Sequence, residues 1–145
     1  MRILGLDFGD RHIGLSLSDP LGITAQPLGQ YTLSGEEENK RHFAELVRRY
    51  EIKAIVVGIP LRMDGSSGTR AEKTRQFAAW LEKILHLPVH LWDERLTTQQ
   101  AASIMQEQKV GWKTKKKIEH QISATLILQS YLDSRPSQDH VPQDR

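Results

Sequence analysis

Two carboxylates stand where this chain's apolar runs stop. The stretch RILGLDFGDRHIGLSLSD, residues 2–19, places Asp7 at the end of the first run, and Glu94 closes a later one, PVHLWDE. A charged carboxylate taken out of water without a partner is strongly unfavourable. If the two runs are strands that end side by side, Asp7 and Glu94 face each other and need a cation between them. An open set of oxygen ligands suits Mg2+ or Mn2+. Two such ions, about 4 Å apart, would activate a water and stabilise the leaving oxygen of a phosphodiester. Each acid also has a plainer reading. Asp7 could bond the amides of the FGD turn, and Glu94 could pair with Arg95 at the surface.

Base gathers at KVGWKTKKK, residues 109–117, and acid at GEEEN. Trp112 beside Lys113, Lys115, Lys116 and Lys117 joins a ring that can stack on bases to ammonium groups that seek phosphate. The alternative is a solvated basic loop with Trp112 plugging it against a helix. Arg62, Arg70 and Arg95 could line the path to the carboxylates. His86 and His90 have the spacing of a zinc pair, but Pro88 and the strand reading of this stretch break that geometry.

The elements that would carry these groups can be read from periodicity. Residues 2–7, 13–18 and about 28–33 read as strands, with FGDR as a tight hairpin turn between the first two. Ser34 with Glu37 reads as a capping box for a helix reaching about residue 50, whose apolar stripe is Phe43, Leu46, Val47 and Tyr50. KAIVVGIP reads as a buried parallel strand. After the Gly/Ser-rich loop GIPLRMDGSSG, Thr69 with Glu72 reads as the cap of a second helix striped by Phe77, Ala78, Leu81, Ile84 and Leu85. Residues 89–93 form a fifth strand. Thr97 with Gln100 would open a helix to about residue 109. KIEHQISATLILQSYLD reads as a last helix with Ile118, Ile122 and Leu126 in line. Residues 1–133 form one domain, and the polar, proline-containing residues 134–145 read as a disordered tail. The order β-β-β-α-β-α-β-α-α predicts an α/β fold, a mixed five-stranded sheet with helices on both faces. In such sheets ligands gather at the carboxyl ends of the parallel strands. Asp7, GIPLRMDG and Asp93-Glu94 would therefore meet at one edge.

Bulk properties narrow the classes. A chain of 145 residues can bury one sizeable core unaided. It has no cysteine, which excludes disulfides, thiol nucleophiles and cysteine zinc sites. The first strand starts at once with no charged-then-apolar leader, and no run approaches the roughly 20 apolar residues of a membrane span, so a cytoplasmic protein without membrane contact is expected. A net charge of +2 is a weak pointer to an anionic partner.

GLDFGDRHIGLSLSD, VVGIPLRMDGSSGTRAEKTRQFA, DERLTTQQA and ATLILQSYLD, in this order and spacing, resemble the motifs of the YqgF family, known both as Holliday junction resolvase-like proteins and as pre-16S ribosomal RNA nucleases. The match runs from Arg2 to Asp133. The family is similar to RuvC resolvases, which implies an RNase H-like fold. The resemblance implies an acidic triad whose first two members fall on Asp7 and Glu94. Its third member, eleven residues before Tyr131, falls on His120 rather than an aspartate. His120 shares a helical face with Ala124, Ile127 and Tyr131, so it reads either as a core histidine or as the group completing the metal site. Gly9 would let the backbone come close beside Asp7. The resemblance implies a divalent-metal nuclease acting on structured RNA or branched DNA, as monomer or homodimer. Junction resolution and a nucleic-acid-binding module without chemistry are the alternatives. DFGDRHIG also resembles the first phosphate loop of actin-like ATPases, but those need two such domains.

Overall fold

The computed structural model describes residues 2–62, 65, 68–96 and 112–135. Strands β1 (Arg2–Phe8), β2 (His12–Ser18) and β3 (Ala25–Thr32) are followed by helix α1 (Glu36–Tyr50), strand β4 (Ile52–Ile59), helix α2 (Thr69–Leu85) and strand β5 (Val89–Asp93). A single 3-10 turn, Glu94–Leu96, and helix α3 (Trp112–Ser134) complete the described chain. The five strands form one sheet in the order β3-β2-β1-β4-β5. β1 pairs antiparallel with β2 and parallel with β4, which pairs parallel with β5.

The two faces of the sheet are built from different residues, because side chains alternate along each strand. Leu4, Leu6, Ile13, Leu15, Leu17, Ile55 and Val57 point to one face and pack with Phe43 and Leu46 of α1 and Ala78 and Leu81 of α2. Several alternate positions are small: Gly5 on β1, Gly14 and Ser16 on β2, Gly58 on β4. α3 lies against this second face, with Ile127, Leu128 and Leu132 closing over Ile3 and Val56. The fit is close. A Cβ on Gly14 would fall 2.0 Å from the carbonyl oxygen of His120, and one on Gly5 would fall 2.7 Å from Leu128 Cβ. The Ser16 hydroxyl donates to the Ala124 carbonyl at 2.7 Å. Gly14→Ala is expected to lift α3 and cost about 3 kcal/mol, read as an earlier denaturant midpoint with an unchanged slope.

Several local expectations are corrected. Neither capping box forms: the N-caps are Gly35 and Gly68, without a side-chain cap. Ser34 is engaged instead by Asn39, whose Oδ1 accepts from the Ser34 amide at 2.9 Å, and Thr69 lies one place inside its helix. β3 begins at Ala25 and runs through Pro27, which an edge strand tolerates because one side of its ladder is unpaired. α3 begins at Trp112 rather than Lys117. Lysine is a good helix former, and no Gly or Pro interrupts residues 112–134. The line that α3 buries is Ala124, Ile127, Leu128 and Leu132, whereas Ile122 and Leu126 are half-buried. The helix expected over residues 97–109 lies outside the described residues, as does the tail beyond Arg135.

Candidate active site

Asp7 sits at the carboxyl end of β1 with a glycine on either side of it in the sheet, Gly14 on β2 and Gly58 on β4. Its relative exposure is 7%. The hairpin turn does not use its carboxylate, since the Gly9 amide donates to the His12 carbonyl at 3.0 Å. Asp7 Oδ2 instead lies 3.0 Å from His120 Nδ1 on α3. That hydrogen bond raises the His120 pKa above the ordinary histidine value, outweighing burial, which lowers it. A raised folded-state value means that the pair stabilises the fold fully below the unfolded histidine pKa, and that this contribution is lost as pH rises through the folded value. His120→Asn should therefore cost more stability at pH 6 than at pH 9 in divalent-free buffer. A difference that is flat with pH would show that the ring only fills space.

Glu94 opens the 3-10 turn after β5 and lies across Gly58. A Cβ on Gly58 would stand 2.8 Å from Glu94 Cγ and 2.4 Å from Ile127 Cδ1, so only glycine leaves room for both. Burial, and next the negative charge of Asp7, push the Glu94 pKa up to about 7, while Arg70 and His120 pull it down. Asp7, Glu94, His120 and Arg70 thus share one site, drawn from β1, the end of β5, α3 and the start of α2.

The flanking residues hold this edge in place. The Arg95 guanidinium forks onto Asp93, with Nη2 2.6 Å from Oδ2 and Nε 3.0 Å from Oδ1. Arg95 Nη1 also donates to the Arg62 carbonyl at 3.1 Å. Arg95 thus ion-pairs with Asp93, whose carboxyl it holds below its usual range. The Arg62 side chain lies beside Gly68 at the start of α2. Trp112, Lys113, Lys115, Lys116 and Lys117 belong to the first turns of α3, the helix that carries His120. Asp93 and Gly58 stand in stretches that the sequence already points to this edge, but the sequence assigns no role to Asp93, Gly14 or Gly58. A strand register would have exposed both glycines, because each is the lateral neighbour of Asp7.

The donor set is carboxylate and imidazole. Among the described residues no three His, Cys, Asp or Glu side chains form a ready-made metal cage. The two carboxylates still fit a hard divalent cation. They are brought together at the cost of a Glu94 pKa near 7, and a cation between them would relieve that cost.

A mixed sheet in the order β3-β2-β1-β4-β5, with acids at the ends of its first and last strands, defines an RNase H-like domain. The fold is shared with Thermus thermophilus RuvC solved in complex with a Holliday junction substrate, at a TM-score of 0.56 and 15% identity over 92% of this chain and 97% of that one. It is also shared with the fowlpox virus resolvase, at 0.57 and 13% over 92% and 98%. The chain belongs to the RuvX family, whose sequence model, described as Holliday junction resolvase, matches residues 1–134. Relatives from Koribacter versatilis, 46% identical over 92% of this chain and 88% of theirs, and from Syntrophus aciditrophicus, 44% identical over 99% and 95%, both carry the name "Putative pre-16S rRNA nuclease". No described helix is long and apolar enough to cross a membrane.

Proposed function

We propose that this chain is a cytoplasmic endonuclease that uses Mg2+ or Mn2+ to cleave phosphodiester bonds at the 5′ side of the 16S rRNA precursor, with residues 1–133 as the working domain. The observation that carries the reading is the pairing of Asp7 with Glu94 at the sheet edge, where Glu94 is pushed up to about 7. The name borne by relatives at about 45% identity supports the choice of RNA. Junction DNA is the second reading, favoured by the description of the family.

Asp7 and Glu94 would hold the two cations, with His120 completing the set. When bound, the cations supply water activation and neutralise charge on the phosphate. His120 fixes the Asp7 carboxylate through Nδ1 and can hold a proton there. Arg70 adds a fixed cation beside Glu94 and suits an incoming phosphate. The Asp93–Arg95–Arg62 connection keeps the turn bearing Glu94 tied to the loop after β4. Arg62, Arg70, Arg95, Trp112 and the lysines of α3 would contact the substrate backbone and bases. A two-fold dimer would suit paired cuts on a junction, whereas a monomer suffices for RNA.

A pre-16S rRNA fragment spanning the mature 5′ end tests the reading. It should be cut in Mg2+ and left intact after chelation. Cutting that survives chelation would contradict the metal assignment. Changing Lys113, Lys115, Lys116 and Lys117 together to alanine should weaken RNA binding and flatten log K against log salt by a few units, near one per lost phosphate contact. An unchanged slope would leave the run as a solvated face.

A further inference from the structure

A cleft of about 460 Å³ opens at the same end of the sheet as Asp7 but on the opposite face. Phe8, the residue after Asp7, forms part of its wall and stacks on Phe77 with ring centroids 4.6 Å apart. Trp80 lies 5.8 Å beyond Phe77. All three rings are half-buried, so each keeps some surface open to the cleft. The rim is polar: Lys73 and Gln76 come from α2, and Glu36 from the first turn of α1.

α2 joins this cleft to the site already described. Arg70 acts on Glu94 and His120, and Lys73, Phe77 and Trp80 follow it at i+3, i+7 and i+10, on one side of the helix. From Arg70 to Trp80 the helix rises about 15 Å, a span of a few nucleotides. Aromatic rings edged by an ammonium, an amide and a carboxylate suit a flat heterocycle with donors and acceptors on its edge. The Lys73 ammonium beside the rings suits the phosphate that accompanies a base, a charge that an apolar peptide would not use.

We propose that this cleft is a subsite for one unpaired base of the substrate strand, stacked on Trp80, with Lys73 on an adjoining phosphate. The proposal rests on the nuclease reading above. The test uses the full chain carrying Asp7→Asn, so that RNA is bound and not cut. The probe is fluorescein-labelled single-stranded RNA, together with the same RNA made abasic at one position at a time. Trp80→Leu should weaken binding of intact RNA about 5- to 100-fold, and Trp80→Phe should recover most of it. The loss should vanish for the RNA that is abasic at one particular position. Lys73→Ala, an exposed change that leaves the core untouched, should lower the salt slope by about one. Thermal melts confirm that the variants are folded. If the Asp7→Asn parent binds RNA while Trp80→Leu and Lys73→Ala bind with the same affinity and slope, the subsite is wrong and the nuclease reading stands. If the parent binds neither RNA nor a four-way junction at any salt, both fall. If Trp80→Leu dissolves a dimer without changing RNA affinity, the rings cover a second copy and the subsite is overturned.

Discussion

Glu94→Gln is expected to be more stable than the parent protein at pH 8 in divalent-free buffer, and yet to cleave nothing. The sign follows from the direction of the pKa shift. Burial and Asp7 raise the Glu94 value from 4.5 to about 7 in the folded chain, so folding favours the protonated carboxyl. The cost of its charge is absent below the unfolded value, grows between the two values, and is fully present above about 7. Glutamine removes that charge while keeping the shape. The gain at pH 8 should be about 1–3 kcal/mol, shrinking to nothing near pH 4. Saturating Mg2+ should narrow the gap, because only the parent gains from binding the ion. Denaturant melts of both proteins across pH, with and without Mg2+, check this. A gap that ignores both pH and Mg2+ would mean that Glu94 neither repels Asp7 nor meets a cation.

Asp7→Asn should fold normally and cleave at least about a thousandfold more slowly. Several kcal/mol of transition-state stabilisation is the usual scale for a group that holds a catalytic cation, and each 1.36 kcal/mol is a factor of ten in rate. Asparagine preserves the size of the side chain between Gly14 and Gly58, so α3 has no steric reason to move. It also withdraws the carboxylate that raises the His120 pKa, so the histidine should titrate lower in the variant by NMR. Single-turnover cleavage is the measure of the first effect. A rate within tenfold of the parent would remove Asp7 from the chemistry.

Much of this site is legible in the sequence. The apolar runs in RILGLDF, KAIVVGI and VHLWD mark strands that run parallel, so their carboxyl ends lie together. That places Asp7 near Glu94 without a structure. The family resemblance points to His120, eleven residues before Tyr131, and its Nδ1 lies 3.0 Å from Asp7 Oδ2. Other features depend on long-range register, which a linear pattern does not carry. Gly14 and Gly58 look like ordinary strand glycines until the register sets them beside Asp7, under α3 and Glu94. Local helix signals misled where a competing bond won: Asn39 took the Ser34 amide that the capping box would have arranged differently. Likewise Arg95, adjacent to Glu94 in sequence, turned to Asp93, because a two-residue step brought the guanidinium fork onto that carboxylate. β3 starts at Ala25, earlier than the apolar pattern from about residue 28 suggests, because Pro27 is tolerated on an edge strand.

The most direct test of the central claim is cleavage of a pre-16S rRNA fragment and a four-way DNA junction, side by side in Mg2+, with Asp7→Asn as control. The account predicts cutting of the RNA fragment near the mature 5′ end, loss of that cutting in Asp7→Asn, and slower or no resolution of the junction. Equal cutting by the parent and Asp7→Asn, or resolution of the junction with the RNA left whole, would contradict it.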